Sequence, residues 1–94
     1  MAEDTNVVFV GKKPVMSYVL ACVTQFNDGQ SEVVLKARGR AISHAVDIAQ
    51  ITKNKFMADT QVSNVAIGTE QVVGEQGEKL NISSIEITLS KKAQ

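Results

Sequence analysis

The sequence predicts an α+β fold: a two-layer sandwich of βαβαββ order, with a mixed four-stranded sheet and two helices on one face. Three observations lead there. The apolar run VVFV (residues 7–10), a helix-period segment and then EVVLKAR (32–38) compose a βαβ unit. A second helix-period segment covers residues 40–56. Two long strand-like stretches, 62–73 and 80–90, close the chain, joined by a turn with two glycines.

VVFV is bounded by Asn6 and Gly11 and is too short to persist as a helix, so it reads as a buried strand. Pro14 suits the first helical position, where its missing N–H is not needed, and Val15, Val19, Val23 and Phe26 then recur every three or four residues. Asn27-Asp28-Gly29 stops that helix, and EVVLKAR, rich in β-branched residues, follows as the second strand, ended by Gly39. The two strands are expected to be parallel, with a right-handed crossover and with loops at their carboxyl ends open to ligands.

The second helix, residues 40–56, spreads Ala41, Ile42, Ala45, Val46, Ile48, Ala49, Ile51 and Phe56 over an arc of about 220°, where one sheet contact needs roughly 100°. The excess asks for a second packing surface, and another copy of the chain supplies it most simply, which predicts a homodimer or larger assembly. In the last strand Ile85, Ile87 and Leu89 alternate cleanly. They fall out of phase with Leu80 and Ile82, which predicts a bulge at Ser83-Ser84. Toward its turn the hairpin becomes polar (Thr69, Glu70, Gln71, Gly74 to Lys79, Asn81), as expected of a projecting arm.

Composition sets the bounds. With 94 residues, 44% of them hydrophobic, residues 1–94 are expected to make a single domain able to bury a core. No apolar run approaches the ~20 residues of a membrane helix. The start MAEDTN has neither a basic nor an apolar leader region, so a cytoplasmic location is expected. Cys22 is the sole cysteine, which rules out an intrachain disulfide and a multi-cysteine metal site. Net charge is zero but unevenly placed: residues 1–10 carry minus two, residues 11–55 plus four and residues 56–94 minus two. The cations of the basic stretch cluster as Lys12-Lys13 and as Lys36, Arg38 and Arg40.

Gly11-Lys12-Lys13-Pro14 holds the parts of an anion site: a glycine for close approach, two cations and a helix N-terminus. It lacks the glycine spacing and the Ser or Thr of a P-loop, and a solvated loop is the plain alternative. Lys36 and Arg38 alternate to one side of a strand, and Arg40 opens the next helix. If the strands are parallel neighbours, all five cations share one end of the sheet, and a dimer doubles them into a strip suited to phosphates along a backbone. Tyr18 either stacks on a base or contacts a phosphate, or serves as a packing residue with a wet hydroxyl. The single histidine, His44, reads as a surface or interface residue, and no nucleophile-elbow serine is present, so no catalytic residue, cofactor or metal is expected. A phospho-ligand module and a protein-interaction scaffold stay open beside nucleic-acid binding.

The segments NVVFVGKKPVMSYVLACVTQFN and SEVVLKARGRAISHAVDIAQITKNKF, with GKKPVM and KARGRAIS as their specific motifs, resemble archaeal Alba proteins, and the hairpin is similar in length and position. The resemblance implies a fold similar to the C-terminal domain of translation initiation factor three. It also implies a homodimer that binds double-stranded DNA and RNA, associated with the chromosome in chromatin or acting in RNA metabolism. Carried over residue by residue, Lys12 and Lys13 form the centre of the nucleic-acid surface, Lys12 is the acetylation site that weakens DNA binding, and a Sir2-type deacetylase becomes a partner. Tyr18, Arg38 and Arg40 line the same surface, hairpin arms reach along the minor groove, and Phe56 joins dimer to dimer in higher assemblies. This chain departs from basic members in its zero net charge, in His44 where lysine is common, and in Glu70, Glu75 and Glu78 on the arm. Weaker binding than in basic relatives is therefore expected.

Overall fold

Alternation builds the sheet. In β2 (Glu32–Arg38) the side chains of Val33, Leu35 and Ala37 are buried, while Val34, Lys36 and Arg38 turn to the opposite side. The computed structural model describes residues 6–92, so the N-terminal acids Glu3 and Asp4 lie outside the described residues. The elements follow as β1 (Val7–Phe9), α1 (Val15–Asn27), β2, α2 (Ile42–Ile51), β3 (Thr60–Val73) and β4 (Lys79–Lys91). The sheet order is β1-β2-β4-β3, with β1 parallel to β2 and β4 antiparallel to both of its neighbours. This is the mixed four-stranded sheet read from the pattern.

One face of the sheet carries both helices. Val8, Leu35 and Ile87 stand in one cross-strand row and Val33 and Leu89 in another, and these meet Val19, Cys22 and Phe26 of α1 and Ala45, Ile48 and Ala49 of α2. Burial of Phe26 alone contributes roughly 2–3 kcal/mol. Cys22 is fully enclosed, and burial pushes its thiol from an ordinary 9.0 up to about 11, with the Thr52 hydroxyl beside it pulling the other way. That hydroxyl has no stronger partner among the described residues. The unfolded chain therefore loses this proton first as pH rises. The contribution is fully present below pH 9 and is lost as pH climbs through about 11. Denaturation midpoints followed from neutral pH to about 11 should fall in wild type, and fall less in Cys22→Ala.

Several boundaries differ from the sequence reading. VVFV is not buried throughout: Val8 and Val10 face the helices, but Phe9 points to the open face and is 72% exposed. A run of four apolar residues conceals the alternation that the sheet imposes. Pro14 stands just outside α1 as its N-cap, not as its first residue. The segment 40–56 is three pieces: a 3-10 turn at Gly39–Ala41, α2, and a π turn at Thr52–Phe56 closed by the Met57 N–H on the Thr52 carbonyl at 2.7 Å. Arg40 therefore lies in the 3-10 turn, ahead of α2.

Ser83-Ser84 carries no bulge. Those residues pair in register with Thr69 and Gly68, and the irregularity falls across the hairpin, between Val62 and Asn64. The phase of the apolar residues slips because the strands leave the helix layer: no residue from Gly68 to Ser84 is buried, so the side that was the core side carries Ser83 and Asn81 there. The hairpin thus runs out as an arm. A 14-residue strand is ~46 Å long, in keeping with the 50 Å longest dimension of the molecule.

Candidate nucleic-acid interface

The site grows from the carboxyl ends of the two parallel strands. After Phe9 the Val10 N–H donates to the Lys36 carbonyl at 2.8 Å, and the chain turns through Gly11, Lys12 and Lys13 into α1. The Tyr18 hydroxyl fixes this turn by accepting the N–H of Gly11 at 2.9 Å and of Lys13 at 3.1 Å. A Cβ on Gly11 would stand 3.4 Å from that oxygen, an ordinary contact, so the clamp itself does not demand glycine. The first turn of α1 has no side-chain cap and no acidic residue; the Ser17 N–H donates to the Pro14 carbonyl at 3.0 Å, and the positive end of the helix dipole stays beside the two exposed lysines.

Tyr18 thus has a definite place. Its half-buried ring packs against the core, and its hydroxyl, at the exposed rim of the site, accepts from both amides of the lysine loop. Tyr18→Phe keeps the ring and removes the acceptor. We expect faster amide hydrogen exchange at Gly11 and Lys13, each losing a hydrogen bond of about 1 kcal/mol. Unchanged exchange at both amides would refute the clamp.

The second cation string leaves β2 through Gly39, whose φ of 59° is a conformation other residues adopt at a cost. The turn brings Arg38, on the open face of the sheet, next to Arg40, at the head of α2. A depression of about 940 Å³ gathers Lys12, Lys36, Arg38 and Arg40 with Phe9, His44 and Glu70 on its walls. Lys13 is exposed on the adjoining loop, outside that lining. Phe56, 46% exposed, ends the π turn that follows α2, at the opposite end of the helix from Arg40.

Carboxylates already touch two of these cations. Arg38 Nη1 lies 3.0 Å from Glu70 Oε1, and Lys36 Nζ lies 3.6 Å from Glu86 Oε2 and 6.0 Å from the centre of the Phe9 ring. Both ion pairs are largely exposed and therefore weak, so a phosphate can displace them. Sequence reasoning placed Glu70 on the arm without its partner, and it passed over Phe9 and Glu86. The signal for Phe9 was the parallel register that sets it opposite Lys36, which a single strand does not disclose. Among the described residues no group of three or more His, Cys, Asp or Glu gathers as a metal site.

A helix-backed mixed sheet of βαβαββ order, with a cation-lined depression at its parallel strand ends, defines a class of small α+β domains with a basic end-of-sheet surface. The chain belongs to the Alba family, whose sequence profile matches residues 6–69. It is 57% identical over 91 residues to the DNA/RNA-binding protein Alba of Methanocella arvoryzae, covering 97% of this chain and 94% of that one. It is 59% identical over 92 residues to DNA/RNA-binding protein Alba 1 of Archaeoglobus fulgidus, covering 98% and 100%. The solved structure of Alba from Thermoplasma volcanium superposes with a TM-score of 0.87 at 53% identity, over 92% of this chain and all of that one. An Alba protein from Trypanosoma brucei shares the fold, with a TM-score of 0.77 at 24% identity over 96% of this chain and 72% of that one.

Proposed function

We propose that this chain is a non-enzymatic nucleic-acid-binding protein, acting as a homodimer that grips the phosphate backbone of double-stranded DNA and RNA with little base readout. The observation that carries this reading is the convergence of Lys12, Lys36, Arg38 and Arg40 on one depression beside the uncapped start of α1. The names of its relatives as DNA/RNA-binding proteins support it. Lysines act as mobile point charges, and the planar arginines grip two phosphate oxygens. Base edges are read by donors and acceptors set into a groove, whereas the long basic side chains of this surface suit backbone contact.

The dimer rests on an uncovered apolar strip. On β3, Val62, Val65 and Ile67 pair with Leu89, Ile87 and Ile85 and so point to the helix side, yet no helix among the described residues covers them, and Ile67 is 82% exposed. Val46 of α2 is exposed on the same side, and Ile42 and Ile67 line one shallow hollow. A second copy laid on this strip covers it and answers the excess apolar width of the second helical segment. In this reading the protein is cytoplasmic and chromosome-associated, exposed Phe56 joins dimer to dimer, and acetylation of exposed Lys12, reversed by a Sir2-type deacetylase, removes one phosphate contact.

A salt titration tests the reading. Affinity for duplexes of unrelated sequence should be equal within a few-fold and fall linearly in log–log form with salt, because counterion release drives binding. Glu70→Gln, which frees Arg38 from its carboxylate, should tighten binding by about three- to tenfold and steepen the slope by roughly one. Tight binding unchanged at several hundred millimolar salt would reject backbone contact.

A further inference from the structure

We infer that Phe9 is a stacking platform for an unpaired base, so that the same surface that follows a duplex backbone also holds single-stranded nucleic acid. This rests on the nucleic-acid reading above and adds a ligand class to it. The chain has four aromatic residues. Phe26 is in the core and Tyr18 clamps the lysine loop, whereas Phe9 stands 72% exposed on the open face of the sheet. A lone exposed phenylalanine is ordinary; this one forms a wall of the depression that holds Lys12, Lys36, Arg38 and Arg40.

Three features suit the ring to a base. Among the described residues β1 is an edge strand, paired only with β2, and no neighbouring strand closes over its outer side. Lys36 is the direct cross-strand partner of Phe9, and its ammonium lies 6.0 Å from the ring centre, at the outer reach of a cation–π contact. A base on the ring therefore has a cation at hand for its own backbone phosphate, with Lys12 and Arg38 available for the nucleotides on either side. Within a duplex the faces of the bases are already stacked and cannot reach an aromatic side chain, whereas in a single strand they are free. The ring thus discriminates by strandedness, and the cations serve both forms.

Fluorescence of 2-aminopurine, placed centrally in a short single strand of RNA and in the DNA of the same sequence, tests this, with an unlabelled duplex as control. Full-length wild type is expected to quench the probe in one or both single strands, the strand quenched more strongly identifying the preferred sugar. Phe9→Leu, which keeps bulk and polarity but removes the π face, should abolish the quench and weaken single-strand binding about tenfold. The loss for the duplex should be several-fold smaller than the loss for the single strand, and Phe9→Tyr should retain the quench. Wild-type quenching and affinity in Phe9→Leu would overturn the platform, as would equal losses for single strand and duplex. Duplex binding with no single-strand binding in wild type would overturn this inference alone, whereas binding of neither would overturn the proposed function with it.

Discussion

Replacing Lys12 and Lys13 together by glutamate should lower duplex affinity by about 100-fold or more at moderate salt and flatten the salt dependence by roughly two to four contacts per dimer. The magnitude follows from position. Both side chains are exposed on a loop, and the loop's backbone is held through the amides of Gly11 and Lys13 on the Tyr18 hydroxyl, not through the lysine side chains. Charge reversal therefore leaves the clamp and the core in place, and thermal unfolding should match wild type. Electrophoretic or anisotropy titrations at several salt concentrations measure the effect. Intact affinity in a folded double variant would remove these lysines from the interface and leave the second cation string without its centre.

Ile67→Asp should convert the proposed dimer of about 20 kDa into a 10.1 kDa monomer in sedimentation and cost about 100-fold or more in duplex affinity, because two linked basic surfaces are reduced to one. Ile67 is 82% exposed on the single chain, so aspartate there does not disturb the fold of the protomer. In the proposed dimer the same position is closed, and an unpaired carboxylate is costly there. Ile67→Val serves as the control that keeps the apolar surface. A wild-type protein that sediments as a monomer at micromolar concentration would dismiss the apolar strip as an interface.

The two variants separate charge from assembly. Under the proposed function, the lysine pair acts on grip within each protomer and Ile67 on how many protomers grip together. Glu70 adjusts the first of these from within the chain. The acids of the arm were expected to weaken the hold on phosphates, and Glu70 rests on Arg38 at 3.0 Å, where it already occupies that cation.

Much of this architecture is written in local pattern. Helix-period spacing of Val15, Val19, Val23 and Phe26, the glycine stops, and the alternation of Ile85, Ile87 and Leu89 are short-range signals that survive in a single sequence. The clustering of Lys12-Lys13 and of Lys36, Arg38 and Arg40 was legible for the same reason, and parallel pairing of the first two strands brings both clusters to one end. Failures occurred where a local signal has two origins. The phase slip at Ser83-Ser84 resembles a bulge, but it arises because the strand leaves the helix layer and no core remains to select apolar residues. The π turn at Thr52–Phe56 shares its apolar spacing with an ordinary helix end, so only the hydrogen-bond pattern distinguishes it.

By itself, the sequence determined the order of elements, which helix faces are apolar, and which cations are near one another along the chain, since each depends on neighbours within a few residues. The tertiary structure alone decided which partners those residues meet. It placed the Tyr18 hydroxyl on the lysine loop, Glu70 on Arg38 and Lys36 beside an outward-facing Phe9, and it left Val62, Val65 and Ile67 uncovered. The physical reason is register: a cross-strand contact depends on pairing between segments up to tens of residues apart, and a one-residue shift in that pairing would exchange the two faces of the sheet.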